Sequence, residues 1–486
     1  MFYRRRQSED QLARAWGLGK QVLLFLGALA FLIGLIYFVV RGGNFARGVP
    51  KRSHLVDYKR TSPDLLELCG LPPSSGHPTV IEMVYSLGKA GWIELAAERF
   101  SHLCPSIQVA LTPMADLTAT SALLAGEIHP TIWSPATELS LTHLDYRSSQ
   151  RKDKPTWRIV EKTELVRSPL VLLIWQDRQR LLSAILKKGP SSEGMWPRAM
   201  CPLIPRVPDL AGLTLEAMVP GRWLDWYVST QPSAEQHLVP TSLIHHDGEE
   251  PLPSLAEMKS WGQVKIGRAR PTRYSSGIST LYLMAYEYIL PPETRHDVTD
   301  QAQLAQRFER GLIEQKESLR TWLRRCEGGL EMAPMSEPAL TDAIFELGPG
   351  HLDAVVTYEH LTLPLLAKVD SYADSLRKLA IVYPEPTILA RNPAVIFASD
   401  SEKEEAARKW LKFLRSKELQ KHAIEFGFRP VNPDISIRGY DVEQNQFLRL
   451  RRYGVTLDLH VVEPPRPSGR VIQSLVELWE DANGRN

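Results

Sequence analysis

The sequence predicts an α/β protein whose body is preceded by one membrane-spanning helix. From residue 78 onward, short apolar strands alternate with helices, which is typical of a parallel sheet covered by helices on both faces. Residues 22–40 form an apolar run without a charged side chain. The composition over 486 residues, 43% hydrophobic and 23% charged, is sufficient for a core divided between more than one lobe.

The apolar run at residues 22–40 has the length of a membrane span. At about 1.5 Å per residue, it nearly matches the roughly 30 Å hydrocarbon core of a bilayer. No Ala-x-Ala-like cleavage site follows it, so we expect a retained anchor. Basic residues are slightly more frequent before the run, which predicts a cytoplasmic tail at residues 1–21 and an extracytoplasmic body on the cell (inner) membrane. Residues 41–76, rich in proline and glycine, are predicted to be a tether.

Serine residues stand at the ends of two strands of the predicted parallel sheet. Ser86 follows the first strand of the body, and Ser134 ends the third. Ligands of such sheets bind beyond the carboxyl ends of the strands, so both serines are candidate ligand contacts. Each could instead be a turn residue or a helix cap.

A polar loop within residues 265–289 opens a helix at Ser275, Ser276 and Gly277. The first backbone N–H groups of a helix are unpaired and carry the positive end of its dipole, so this loop suits an anionic or strongly polar ligand. The alternative is that Ser275 or Ser276 is only an N-cap.

Several other functions find little support in the sequence. A net charge of +2 gives no basic field for nucleic acid. The serines at 275–276 lack the Gly-x-Ser-x-Gly elbow of a hydrolase, and no histidine or acid is tied to them, so we predict that the protein is not an enzyme. The adjacent side chains of His245, His246 and Asp247 do not converge on a metal without help. We predict no metal and no cofactor.

The four cysteines allow two interpretations. Cys69, Cys104, Cys201 and Cys326 lack the paired spacing of a zinc site. Outside the cytoplasm they could form two disulfides by any of three pairings. Alternatively, they are free buried thiols.

Six short segments together carry a resemblance to a known family. They are Val80–Ser86, Ala96–Phe100, Leu124–Ala136, Arg167–Trp175, Arg270–Gly277 and Gly427–Pro430. In this order they resemble the extracellular solute-binding proteins of bacteria, and more narrowly the type 2 periplasmic-binding fold that includes molybdate- and sulfate-binding proteins. The resemblance covers about residues 78–433.

The resemblance implies two three-layer α/β/α lobes with a ligand in the cleft between them. Lobe 1 would comprise residues 77–175 and 380–486, and lobe 2 residues 176–379 with an insertion at about 181–253. The implied ligand-binding residues are Ser86, Ser134, Thr272, Arg273, Ser275, Ser276, Gly277 and Tyr358. Relatives often have His and Asp where this chain has Arg268 and Arg270, a difference that could alter or abolish ligand binding.

Two functions follow as expectations. The first is a membrane-tethered solute-binding protein that captures a small polar or anionic solute for transport or sensing, with an ABC-type permease or another envelope protein as partner. The second is a cell-envelope interaction protein that kept the fold but not the ligand. It would contact its partner through the insertion, which contains Trp196, Trp223 and Trp226.

Overall fold

The computed structural model describes residues 68–69, 78–152, 157–188, 194–201, 203–205, 218–230, 251–295, 298, 300–327, 335–370, 378–439 and 445–484. The predicted cytoplasmic tail, the membrane span at 22–40, most of the tether and the His245–Asp247 triplet lie outside these residues, as does much of the insertion. Within the described ranges, no helix combines the length and the apolar character needed to cross a membrane.

The first sheet has five strands in the order β2–β1–β3–β12–β4. Their bounds are β1 Thr79–Tyr85, β2 Ile107–Pro113, β3 Ile132–Ser134, β4 Ile159–Glu164 and β12 Pro393–Phe397. Strands β1, β2 and β3 are parallel, whereas β12 runs antiparallel to β3 and β4. In β1 the side chains of Ile81, Met83 and Tyr85 are all buried. The parallel strands therefore end together at one edge, as the sequence predicted.

The second sheet is organised around the long strand β5. Its path is β10–β5–β9–β8, and β11 and β13 also pair with β5. The bounds are β5 Val166–Trp175, β8 Ile266–Gly267, β9 Ala354–Tyr358, β10 Leu379–Val382, β11 Leu389–Ala390 and β13 Arg429–Pro430. β8 and β9 are parallel, so their carboxyl ends share an edge. A separate two-stranded ribbon joins β6 Leu203–Pro205 to β7 Met218–Pro220.

Helices cover both sheets. In the first part of the chain they are α1 Ala90–Leu103, α2 Asp116–Ala125, α3 Glu138–Ser149, α4 Gln176–Lys188, α5 Met195–Met200, α6 Trp223–Ser229, α7 Leu255–Trp261 and α8 Ser275–Ile289. They continue with α9 Gln301–Glu314, α10 Lys316–Glu327, α11 Glu337–Leu347, α12 Glu359–Asp370, α13 Ser401–Leu414, α14 Lys417–Glu425, α15 Gln446–Arg449 and α16 Gly469–Ala482.

The apolar periodicity of the segment 402–426 predicts a single amphipathic helix, but the segment forms two helices. α13 ends at Leu414, and α14 starts at Lys417. The side chain of Ser416 accepts a hydrogen bond from the Leu419 N–H at 3.4 Å and so caps α14. The cap formed by Ser416 therefore starts a new helix within a segment whose apolar side chains lie along one face.

The cysteines form two disulfides. Cys69 is bonded to Cys104, and Cys201 to Cys326. The described part of the chain has no free cysteine. The disulfide alternative is thus confirmed, and the interpretation as free thiols is wrong.

The tryptophans of the insertion belong to the core of the second lobe. Trp196, Trp223 and Trp226 are 1%, 0% and 6% exposed. The Trp223 indole N–H donates to Asp353 Oδ2 at 3.0 Å, and that of Trp196 donates to the Pro386 carbonyl at 2.6 Å. The prediction that these tryptophans contact a partner is wrong, because their rings are packed inside the protein.

The C-terminal helix α16 bridges the helical layers of both sheets. It packs on α3, which follows the first sheet's β3, and on α8 and α10 of the second lobe. Gly469 allows the close approach to α3, because a Cβ there would collide with Tyr146 and with the Thr142 carbonyl. α16 therefore connects the helical layers of the two sheets.

Candidate ligand-binding site

Ser86 and Ser134 lie side by side at the edge where β1 and β3 end. Tyr85 is paired with Ser134 in the parallel register, and the Ser86 N–H donates to the Ser134 carbonyl at 3.1 Å. Both side chains are buried, at 3% and 0% exposure. Within the described residues neither hydroxyl has a hydrogen-bond partner. The first lobe thus presents two unpaired hydroxyls at its strand ends.

Lys89 lies beside these serines in a short 3₁₀ turn that follows β1, and it is fully buried. Its Nζ donates to the carbonyl oxygens of Ser134 and Pro135 at 2.8 and 3.0 Å. Burial lowers the pKa of Lys89 to about 7, while the charges of Asp116 and Glu337 oppose that change. The Lys89 amine is therefore held at the carboxyl ends of β1 and β3.

Asp116 is the first residue of α2, shortly after β2, and is also buried. Its Oδ2 accepts a hydrogen bond from the Ala136 N–H at 3.0 Å. Burial raises the pKa of Asp116, whereas the Lys89 charge and a contact with the Ser275 hydroxyl lower it. Asp116 thus contacts the second lobe through Ser275.

The predicted helix opening in the second lobe is capped by a carboxylate from another helix. Ser276 N–H donates to Glu337 Oε1 at 2.7 Å, and the Ser275 hydroxyl donates to the same oxygen at 3.3 Å. The N-cap residue is Tyr274, so the interpretation of either serine as the N-cap is wrong. Burial raises the pKa of Glu337 to about 7, the Asp116 charge adds to this, and the two serines oppose it. A protein carboxylate therefore occupies the place at which an anionic ligand was expected.

Two further hydroxyls of the second lobe are buried at this helix start. The Ser276 hydroxyl is near enough to Glu337 to lower its pKa, but no contact has hydrogen-bond geometry. Tyr358, at the end of β9, is 1% exposed, and its hydroxyl is likewise unpaired. Burial raises the pKa of Tyr358, although Ser275 and Ser279 lie close to it and lower it. Both hydroxyls thus keep unused hydrogen-bonding capacity.

His360 lies beside this cluster, at the start of α12, which directly follows β9. Its ring stacks on Phe428 with centroids 4.0 Å apart, and Nδ1 lies 2.9 Å from the Ser168 hydroxyl. Burial, and then the Lys89 charge, lower the pKa of His360 to about 3, so the ring is neutral. A Cβ on Gly88 would lie 2.8 Å from its Nε2, so the turn after β1 and the start of α12 approach closely here.

Three other predicted site residues have different surroundings. The Arg273 side chain is exposed, with its guanidinium 5.7 Å from the Tyr274 ring centroid, and Thr272 is half-buried. The Arg273 carbonyl instead accepts from the Leu117 N–H at 3.1 Å, a contact between the lobes. A Cβ on Gly277 would collide with the Ala269 carbonyl, so that glycine serves close packing. The structure brings together Ser86, Ser134, Ser275, Ser276 and Tyr358 around Lys89, Asp116 and Glu337, but not Thr272 or the Arg273 guanidinium.

Lys89, Asp116 and Glu337, here called the ionic cluster, were missed from the sequence. Lys89 and Asp116 follow strands β1 and β2, so the strand-end argument used for Ser86 could have found them. Glu337 gave no such signal, because it reaches the site from the start of a distant helix. In the described ranges no group of three or more His, Cys, Asp or Glu side chains is arranged to hold a metal ion.

Solved structures similar to this chain include several binding proteins. A periplasmic thiamin binding protein is 12% identical, with 85% of this chain and 99% of that chain covered and a TM-score of 0.46. The apo ferric ion-binding protein A from Pasteurella haemolytica is 13% identical, with 84% and 99% covered and a TM-score of 0.46. The sulfate-binding protein SubI from Mycobacterium tuberculosis H37Rv is 15% identical, with 73% and 88% covered and a TM-score of 0.39. No curated protein sequence matches the chain significantly.

A sequence profile decides the family. The profile of bacterial extracellular solute-binding proteins matches residues 81–429, well over half of the chain. The mixed α/β architecture with two sheets is consistent with the periplasmic-binding fold. The family's extracellular location agrees with the extracytoplasmic body that the sequence predicted. The chain therefore belongs to the bacterial extracellular solute-binding proteins, which bind solutes for transport and are not enzymes.

Proposed function

We propose that this chain is a membrane-tethered, extracytoplasmic protein that holds a small polar solute between its lobes for transport or sensing. The observation that carries the proposal is the set of buried hydroxyls at Ser86, Ser134, Ser276 and Tyr358, which find no hydrogen-bond partner among the residues that the structure describes. Leaving a buried polar group unpaired costs about 1–3 kcal/mol. A solute with several hydrogen-bonding groups would satisfy these hydroxyls and recover part of that cost.

The charges of the ionic cluster favour an uncharged or cationic solute. When all three groups are ionised, Lys89 supplies one positive charge, whereas Asp116 and Glu337 supply two negative charges. The N–H group of Ser276 is already used by Glu337. A free anion would therefore meet a negative cluster at a helix start that is occupied, and would have to displace Glu337 or bind together with a proton. The sequence predicted a polar or an anionic solute. We propose a polar solute that is not an anion.

The proposed anchor at residues 22–40 would hold the body near a membrane partner. In this family the body lies outside the cytoplasm, so an anchored binding protein could deliver its solute to an ABC-type permease or report it to another envelope protein. The physical support is the apolar run itself, whose length suits a bilayer.

A thermal-shift screen of the full chain in a neutral detergent would test the solute. Sugars and polyols, polyamines and oxyanions should be compared at pH 7.5. A solute at 100 times its Kd should add about 2.7 kcal/mol of stability. We expect the stabilising compounds among the uncharged or cationic classes. Stabilisation by oxyanions alone would contradict the charge argument.

A second candidate, an envelope interaction protein without a solute, is favoured by the burial of the ionic cluster. Lys89, Asp116 and Glu337 are buried among the protein's own side chains, and α16 packs on α3 as well as on α8 and α10. If no compound stabilises the chain at millimolar concentration, this function is preferred. Its contact surface would have to exclude Trp223 and Trp226, which are buried.

A further inference from the structure

A cavity lies in the C-terminal part of the chain, beyond residues 81–429 that the family profile matches. It has a volume of about 470 Å³ and is lined by Arg438, Arg451, Arg452, Asp458 and the segment 454–457. Small-ligand sites commonly have volumes of roughly 300–1,000 Å³. The cavity is therefore large enough for a small molecule or a headgroup.

The lining of this cavity is positively charged. Arg438 is paired with Asp458, and Arg452 with Asp370, which lies outside the lining. The Arg451 side chain is exposed, and in the described part of the chain it makes no ion pair or hydrogen bond. Three guanidiniums against these two carboxylates leave an excess positive charge. All three arginine side chains are exposed, and Arg451 is available to a ligand.

The wall formed by residues 454–457 is fixed from behind. Gly454 has φ 89°, and a Cβ there would lie 2.5 Å from the Ile381 carbonyl, so no other residue fits. The carbonyls of Thr456 and Leu457 accept hydrogen bonds from the Arg429 guanidinium at 2.6 and 3.2 Å. The guanidinium of Arg429 is buried and also contacts both carboxylate oxygens of Glu359 at 2.7 Å. The cavity is thus preformed.

We propose that this cavity binds a phosphate group, carried either by a soluble phosphate compound or by a lipid headgroup. A carboxylate is planar and carries one negative charge, so one guanidinium fork satisfies it. A phosphate presents oxygens in several directions and up to two charges, so it can use Arg451 together with the outer N–H groups of Arg438 and Arg452. The cavity is lined by residues other than those of the ionic cluster, so its ligand is independent of the solute proposed for the cleft.

Calorimetric titration of the full chain in a neutral detergent tests this proposal. The probes are inorganic pyrophosphate and, below its micelle concentration, dihexanoylphosphatidylglycerol. We expect at least one probe to saturate a single site with a Kd below about 1 mM. Saturation by pyrophosphate alone assigns a soluble phosphate compound, and saturation by the lipid alone assigns a headgroup. Saturation by both assigns the phosphate group itself.

Arginine variants distinguish specific binding in this cavity from nonspecific attraction to positive charge. Arg451→Ala should weaken binding by about tenfold or more, and Arg451→Lys should lie in between because it keeps the charge but loses the planar fork. Arg449→Ala, an exposed arginine outside the lining, is the matched control and should change binding by less than about twofold. The exposed position of Arg451 keeps the fold intact in its variants. The proposal is overturned if neither probe saturates, or if Arg451→Ala and Arg449→Ala weaken binding equally.

Discussion

Replacing Glu337 by glutamine tests whether a buried carboxylate caps α8. Burial, with the Asp116 charge adding to it, raises the pKa of Glu337 from 4.5 to about 7. At about 1.4 kcal/mol for each pH unit, this difference amounts to about 3 kcal/mol. Since the pKa is raised on folding, its contribution to stability is fully present below pH 4.5 and is lost as the pH rises through about 7.

The amide of Glu337→Gln resembles the protonated acid and does not titrate. Its oxygen can still accept the Ser276 N–H, so the cap remains. At about pH 4.5 the variant should match the wild-type protein in free energy of unfolding. At about pH 8 it should be more stable than the wild-type protein by up to about 3 kcal/mol.

The assay is urea unfolding of the full chain at several pH values between these limits. Glu346→Gln, an exposed carboxylate on the same helix α11, is the matched control and should follow the wild-type curve at every pH. The reasoning is refuted if the Glu337→Gln and wild-type curves run parallel across this range. It is also refuted if the variant loses more stability than the wild-type protein as the pH rises.

Three further predictions concern the solute, the disulfides and the anchor. Ser276→Ala should weaken the binding of a solute found in the thermal-shift screen by about 1–2 kcal/mol. The exposed control Ser318→Ala should leave the affinity unchanged. Titration measures both, and unchanged affinity with lower stability would make Ser276 purely structural. Replacing Cys201 or Cys326 by serine should cost about 2–5 kcal/mol in urea unfolding because the bond closes a long loop; an unchanged midpoint would argue against that contribution. The full chain should remain in membranes after a carbonate wash, whereas deletion of residues 22–40 should release it. Release of the undeleted chain would exclude the anchor.

Much of the architecture could be predicted from the sequence because the relevant patterns are local. Short apolar strands such as β1, and the start of α8 at Ser275, can be recognised from residues that are neighbours in the sequence. Ser86 and Ser134 could be placed together because neighbouring parallel strands end at the same edge of a sheet. The even cysteine count predicted oxidation, but three pairings satisfied it equally. Only the fold chose among them, because bonding requires two Cα atoms to come within about 4.4–6.8 Å.

Tertiary structure alone decided what fills the candidate site. The sequence identified the open N–H groups at Ser276, but the carboxylate that caps them comes from Glu337, at the start of another helix. Likewise, nothing local in the insertion indicated that Trp223 would be enclosed and donate to Asp353. Sequence periodicity reports which side chains share a face of one element. Burial, and with it the pKa values and the unpaired hydroxyls, depends on which distant element covers that face, and this is settled only when the whole chain packs.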